Sequence, residues 1–379
     1  MRKRKSTMPL LRFPEFRKPW RKVAIKDICW SKSSNKLAKH FGSDYHLYEP
    51  GIYPVFNANQ QITSISVYDA DVPYISIIRD GTGVGRVDLR PAYSSVISTM
   101  NYLFSKNSNL EFLYYILQNK VNWQNYFTGS TIPHLYFRDF AEHKLYVPCL
   151  EEQARIAGLL TSVEQLIAQS NQLKNHYTQL KKAILQRTLA LNQEQPQLRL
   201  AEFTASWQEQ ELQDIFDKLT NGKRKTLAQL HEQQSAHAPY PVYSAQTLKQ
   251  GIMGYYHEHL FEDCITWTRE GYAGQFNYRS GKFYCIDTCG VLVSHKGYSN
   301  KFFAELLNLV AYKHVIQTSI PKLYADVLGR VKVTYPLELA EQLKLGNLYT
   351  CLDQKINQVE KQIQTFMSLK ALLLQQLFV

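Results

Sequence analysis

The 379-residue sequence has no run of about 18 apolar residues, so no segment reads as a bilayer-spanning helix. Its basic start, MRKRK, is not followed by an apolar stretch and does not read as a secretory signal. Only six cysteines are present, too scattered for a disulfide framework, so a reducing cytosol is expected and no membrane partner. Phosphate-cradling loops are missing too, since neither GxxxxGKS/T nor GxGxxG occurs. The glycines of DGTGVGRV (Gly81, Gly83, Gly85) are too closely spaced for a dinucleotide site and read as a tight hairpin.

No Asn-Pro-Pro-aromatic motif of a base-methylating enzyme is found. The nearest approach to a nuclease Asp-x-Lys is Asp353-Gln354-Lys355, in a helical pattern where it reads as an exposed charge pair. Cys285 and Cys289, with Cys264, His257 and His259 upstream, fall short of the compact ligand pairs of zinc. In a strand-like stretch such cysteines serve as small buried hydrophobes. The expectation is a chain without metal, bound cofactor or catalytic residues, and therefore not an enzyme.

What the sequence does have is positive charge and tyrosine. It carries 44 Lys and Arg against 32 Asp and Glu, a net charge of +12, and 25 tyrosines. That balance favours an anionic partner, and tyrosine suits surfaces that are apolar on one side and hydrogen-bonding on the other.

The sequence also repeats itself. An offset of 187 positions carries Pro9, Leu11, Arg12, Glu15, Phe16 and Trp20 onto Pro196, Leu198, Arg199, Glu202, Phe203 and Trp207. YPVFNA maps onto YPVYSA at the same offset. Arg79 and Gly81 map onto Arg269 and Gly271 at 190, and TIPHLY onto SIPKLY at 188. The Ile-Pro-x-Leu-Tyr segments stand shortly before each long helical pattern and read as hinge points. Their variable residues, His134 and Lys322, argue against shared chemistry there.

Each repeat ends in apolar residues at alternating spacings of three and four, the stripe of a coiled coil. In the first helix it comprises Ile156, Leu159, Val163, Leu166, Leu173, Leu180 and Ile184, with Ser170 as an interruption. In the second it comprises Leu345, Leu348, Leu352, Val359, Phe366 and Leu373, with Ile356 and Ile363 available as substitutes. The two helices most simply pack on one another, although periodicity alone does not separate this from each packing on its own head.

Before each helix lie strand-like runs such as PYISIIRD and DCITWTRE, punctuated by Gly and Asp. The fold class expected is α+β: two mixed α/β heads in tandem, each followed by a long helix, the helices forming an antiparallel pair with pseudo-two-fold symmetry. The expected division is 1–148 and 193–336 for the heads, with 149–192 and 337–379 for the helices. Residues 193–197 read as the joint.

Candidate DNA contacts in the first head are Arg79, Arg86 and Tyr93, with Tyr74 nearby. In the second they are Arg269, Tyr272, Gln275, Tyr278, Arg279 and Lys282, with Lys223 and Arg224 on a basic loop. Arg bridges guanine O6 and N7, Gln pairs with adenine, and Lys and Tyr reach phosphates. The basic loops at residues 2–5 and 221–225 add attraction that weakens with salt.

The openings LRFPEF…W and LRLAEF…W, the run STIPHLYFRDFAEHKLYVPCLEEQARIAGLL, and the segments YPVYSAQTLKQGIMGYY and ITWTREGYAGQF resemble the specificity subunit of type I restriction-modification systems along essentially the whole chain. The resemblance implies that each head is a target-recognition domain for one half of a split double-stranded DNA site. The helices would form the spacer. Two methyltransferase subunits would dock on this frame and methylate adenine with S-adenosylmethionine, and restriction (translocase-nuclease) subunits would join them. One departure is clear: LEEQARIAGLL becomes LAEQLKLGNLY in the second helix, keeping only Glu-Gln in register. Equal docking of two partner copies therefore does not follow. A specificity chain of a related type II system and a coiled-coil adaptor that binds no DNA remain as alternatives.

Overall fold

The structure, a computed structural model, describes residues 8–36, 41–42, 45–46, 48–129, 131–191, 195–246 and 248–379. The basic stretch at residues 2–5 and part of the joint at 193–197 lie outside them. The chain forms two compact units, residues 1–170 with 362–379, and residues 171–361. Each therefore holds one head and part of both long helices.

In the first unit, strand Tyr74–Ile78 is buried along its whole length, and its sequence YISII is apolar except for Ser76, whose hydroxyl is hydrogen-bonded. It lies within a four-stranded sheet of order Cys29–Ser33, Met100–Ser105, Tyr74–Ile78, Val87–Arg90. Strand alternation sends Ile75, Ile77 and Leu103 to one face, against helix Leu110–Lys120. Tyr74, Ile78, Tyr102 and Phe104 go to the other, where Val55, Ile65 and Val96 of a three-stranded sheet meet them. Asn109 caps the helix by accepting from the Phe112 N–H at 2.8 Å.

The second unit repeats this plan with longer strands. Its six-stranded sheet has the order Lys218–Asn221, Cys289–Val293, Phe261–Thr268, Phe276–Cys285, Tyr240–Tyr243, Ile252–Tyr256. Val242 pairs in parallel with Tyr284, as Val55 does with Ser95 in the first unit. Asn300 caps helix Lys301–Val310 through the Phe303 N–H at 3.2 Å.

The long helices are Leu150–Thr188, 39 residues, and Leu339–Gln376, 38 residues. In the first unit Ile156, Leu160 and Val163 share a core with Leu373, Leu377 and Phe378. In the second, Leu185 and Leu189 share a core with Leu345 and Tyr349. There Lys174 meets Glu360 at 2.7 Å and Lys181 meets Asp353 at 2.6 Å, so the helices run antiparallel.

On the first helix Ile156 and Val163 are buried as the expected stripe has them, and the stripe departs from the buried face further along. Leu166, Leu173 and Leu180 are 42%, 42% and 47% exposed, and Leu159 and Ile184 are half-buried. Leu160, Ser170, Leu185 and Thr188 are buried instead. On the second helix Leu345, Leu352, Val359, Ile363 and Leu373 are buried and Phe366 is half-buried, while Leu348 is exposed beside a buried Tyr349. The cause is chemical. Lysine stems lie along a seam when their ammonium groups reach acids on the facing helix, as Lys174 and Lys181 do. Ser170, read as an interruption, is small enough to be enclosed. Asp353 likewise is no exposed partner of Lys355, because it bonds Lys181 and Lys301, the latter at 2.7 Å.

Candidate nucleic-acid interface

Each head carries one hairpin with the same closing geometry. In the first unit Ile77 pairs with Val87. The Ile78 N–H then donates to the Arg86 carbonyl at 3.0 Å and the Gly85 N–H to the Ile78 carbonyl at 2.9 Å. In the second unit Trp267 pairs with Phe276. The Thr268 N–H donates to the Gln275 carbonyl at 3.1 Å and the Gly274 N–H to the Thr268 carbonyl at 2.9 Å. Gly85 and Gly274 both have φ of 85°, a conformation that costs a side chain dearly. A Cβ on Gly85 would also lie 2.5 Å from Trp123.

The Ile-Pro-x-Leu-Tyr segments clamp these tips. The Gly81 N–H donates to the Pro133 carbonyl at 3.2 Å, and the Leu135 N–H to the Arg79 carbonyl at 2.9 Å. The Gly271 N–H donates to the Pro321 carbonyl at 3.0 Å, and the Leu323 N–H to the Arg269 carbonyl at 2.9 Å. Leu135 and Leu323 are buried beneath, and Ile132 and Ile320 stand outward at 54% and 53% exposure. The hinge reading is thus corrected. Each segment is followed by a short helix, Phe137–Phe140 or Ala325–Gly329, and a strand before the long helix begins.

The variable residues of the segments do share a role. His134 Nδ1 lies 2.7 Å from Asp80, and Lys322 Nζ lies 3.7 Å from Glu270. Asp80 and Glu270 occupy matching positions beside Arg79 and Arg269, so acid and base change together between the repeats. Partial burial alone would raise the Asp80 carboxyl. Hydrogen bonds from Arg79 and His134 hold it below its ordinary value instead.

The candidate contacts divide accordingly. Arg79 folds onto Asp80 at 2.7 Å. Arg86 is exposed, with Asn59 Oδ1 at 3.2 Å and Asp88 at 3.6 Å. Tyr93 is exposed, but it follows Arg90 at the opposite end of the hairpin and joins the rings of Tyr53 and Tyr68. Four-residue strands of about 3.3 Å per residue separate those ends by roughly 13 Å, and Tyr74 is buried. The expected grouping of Arg79 and Arg86 with Tyr74 and Tyr93 is therefore not one cluster.

In the second unit Arg269, Tyr272 and Gln275 lie at the tip, with Tyr272 70% exposed. Arg269 Nη1 donates to the Asp287 carbonyl at 2.9 Å. Tyr278, Arg279 and Lys282 lie along the strand, away from the tip. The Tyr278 hydroxyl donates to Asp263 at 3.2 Å, and Lys282 is exposed opposite Glu262. Arg279 is half-buried, its guanidinium 3.8 Å from the Tyr243 ring centroid and its Nε donating to Thr266 at 3.1 Å. Desolvation pulls its pKa down, and its two contacts join the strands of Tyr243 and Thr266. Lys223 and Arg224 are exposed just beyond strand Lys218–Asn221.

Residues 17–179 and residues 205–365 each match the type I restriction modification DNA specificity domain. The chain belongs to that family. It is a DNA specificity subunit, the non-catalytic member of a type I restriction-modification system. A Mycoplasma pneumoniae protein assigned as a type I specificity subunit is 32% identical over 219 residues, 57% of this chain and 78% of that one. The MpnII specificity subunit of the same organism is 41% identical over 107 residues, 27% of this chain and 32% of that one. The type I restriction-modification S subunit of M. genitalium shares the fold, with a TM-score of 0.74 at 22% identity over 98% of this chain and 99% of that one.

The repeated opening of the two units has a structural basis. Arg12 holds Glu152 through two bonds of 2.7 and 2.8 Å, and the Trp20 indole adds a third at 3.2 Å. Arg199 and Trp207 hold Glu341 in the same way, at 2.8, 2.7 and 3.3 Å. The neighbouring Gln153 and Gln342 bond the carbonyls of Pro148 and Pro336 at 3.0 and 2.7 Å. This explains why Glu-Gln stays in register at the two helix starts.

Sequence reasoning missed the clamp and its acid–base pairs. The signal was the joint change from Asp80 and His134 to Glu270 and Lys322. It also missed a groove of about 800 Å³ beside the first tip, lined by Gly83, Gly85, Gln118, Trp123 and Ile132. Cys264, Cys285 and Cys289 pack with Phe283 and Val291. Burial pushes the Cys264 thiol up to about 11 and that of Cys289 up to about 12. No group of three or more His, Cys, Asp or Glu able to hold a metal occurs among the described residues, and no described helix is long and apolar enough to cross a membrane.

Proposed function

We propose that each head, residues 1–148 and 193–336, reads one half of a split double-stranded DNA target within a cytoplasmic complex. The helices, residues 149–192 and 337–379, set the spacing and dock two methyltransferase subunits. Restriction (translocase-nuclease) subunits join that assembly. S-adenosylmethionine belongs to the partner methyltransferase, and this chain supplies geometry and base readout.

The observation that carries this reading is the clamped hairpin, held by matching backbone bonds in both heads yet bearing different exposed side chains at its tip. The net charge of +12 supports a polyanionic partner. Arg86, Tyr272, Gln275, Lys223 and Arg224 are the candidate contacts whose exposure suits the role. On the first long helix, Leu173 and Leu180 leave one face apolar and exposed, which supports a docking role.

Mapping of methylated adenine in cells carrying the complete system tests the proposal. A motif of two short specified halves with an unspecified gap is expected. A contiguous motif, or no methylated adenine, would overturn it.

A further inference from the structure

The closing bonds of the two hairpins fix one equivalent residue in each head. It is the residue whose carbonyl accepts from the first N–H of the tip, Arg86 in one unit and Gln275 in the other. The next residues, Val87 and Phe276, are both 2% exposed and point into their cores. Strand alternation therefore turns Arg86 and Gln275 to the outer face. The Arg86 side chain is 45% exposed, with Asn59 Oδ1 at 3.2 Å and Asp88, which also faces Arg90, at 3.6 Å. Gln275 is exposed, and its side-chain amide forms no hydrogen bond with another described residue.

We propose that Arg86 and Gln275 are the base-reading side chains of the two tips, Arg86 for a guanine in one half-site and Gln275 for an adenine in the other. The inference rests on the reading of each head as a DNA-reading unit. A guanidinium presents parallel donors to guanine O6 and N7, and a carboxamide presents one donor and one acceptor to adenine N7 and N6. Neighbouring tip residues fit less well. Arg79 and Arg269 are the same in both repeats and are engaged by Asp80 and Asp287, so they cannot make the heads differ. Thr82 and Tyr272 differ but offer no two-pronged edge, and suit the sugar–phosphate backbone.

The test uses the full chain with its modification partners, carrying Arg86→Gln or Gln275→Arg, and maps methylated adenine in each strain. Arg86→Gln is expected to shift one position of one half-site from guanine toward adenine, leaving the other half unchanged. Gln275→Arg should do the converse in the other half. The expected change in preference is roughly 5- to 150-fold, the discrimination of one bidentate pair. Unchanged motifs in both variants would overturn the inference, as would an equal loss at all sequences, the mark of a phosphate contact. Should Arg86→Gln leave no methylation at all, Arg86→Lys decides. Relaxed choice at one position of one half-site supports base reading, and slower methylation of the unchanged motif, or no methylation, refutes it. If the unaltered complex gives a contiguous motif, the split-site reading fails. If its motif is split and the variants leave both halves intact, only this inference fails.

Discussion

Lys181 and Asp353 meet at 2.6 Å in the second unit, and Lys370 and Glu164 meet at 2.6 Å in the first. Asp353 follows Glu164 by 189 positions and Lys370 follows Lys181 by the same interval, so acid and base exchange helices between the units. A duplicated sequence thus places the same ion pair between the helices in both units. The second unit extends its pair into a quartet, because Glu305 bonds Lys181 at 2.8 Å and Lys301 at 2.6 Å.

That quartet sets an acid limit. Partial burial alone would raise the Asp353 carboxyl, yet hydrogen bonds from Lys181 and Lys301 hold it below its ordinary 3.8. A depressed carboxylate contributes stability fully above its unfolded value and loses it as pH falls through the folded value. Asp353→Asn is expected to cost about 1–2 kcal/mol at neutral pH and to lose less stability than the native protein below about pH 4. Urea melts across pH 2–7 check both expectations.

The first long helix gives a contrast between leucines. Leu160→Ala empties a fully buried site and is expected to cost about 2–5 kcal/mol. Leu173→Ala and Leu180→Ala, at exposed positions, should each cost less than about 1 kcal/mol. Thermal unfolding of the three variants orders them. Equal losses would restore the leucine seam expected from the sequence.

Glu152 and Glu341, almost fully buried, each neutralise an arginine and bond a tryptophan. Replacing either with alanine leaves its arginine without the charge it faces, at a cost of about 3–5 kcal/mol. Chemical denaturation should show a comparable loss for both variants. Arg12→Lys, lacking the bidentate fork, should show a smaller one.

Two glycines of the first tip separate strain from collision. Gly81 has φ of 88° with open space around its missing side chain, whereas Gly85 at 85° faces Trp123. Gly81→Ala is expected to cost about 1–2 kcal/mol from backbone strain alone, and Gly85→Ala more. Binding of duplex DNA by the assembled complex, compared at matched salt, should fall further for Gly85→Ala.

The duplication and the fold class were legible because Trp, Pro, Arg and Gly recur at nearly constant offsets, each where geometry admits little else. Trp20 and Trp207 must reach a buried glutamate, and Gly81 and Gly271 must take a left-handed turn. The seam was legible at Ile156, Val163 and most of the second helix but not along the middle of the first, because a stripe chosen by apolarity passes over lysines that lie inside it by pairing. The clamp was hidden for a different reason. Its bonds join Gly81 to Pro133 and Gly271 to Pro321, separations over which periodicity carries no information. Composition likewise counts Arg279 and Arg86 alike, although one is stacked on Tyr243 and the other is exposed beside Asn59 and Asp88.

Exchange of residues 21–130 for the corresponding segment of another specificity subunit, followed by mapping of methylated adenine, tests the central claim most directly. The account predicts that one half of the target changes while the other half and the gap stay as they were. A change in both halves, or in the length of the gap, would contradict it.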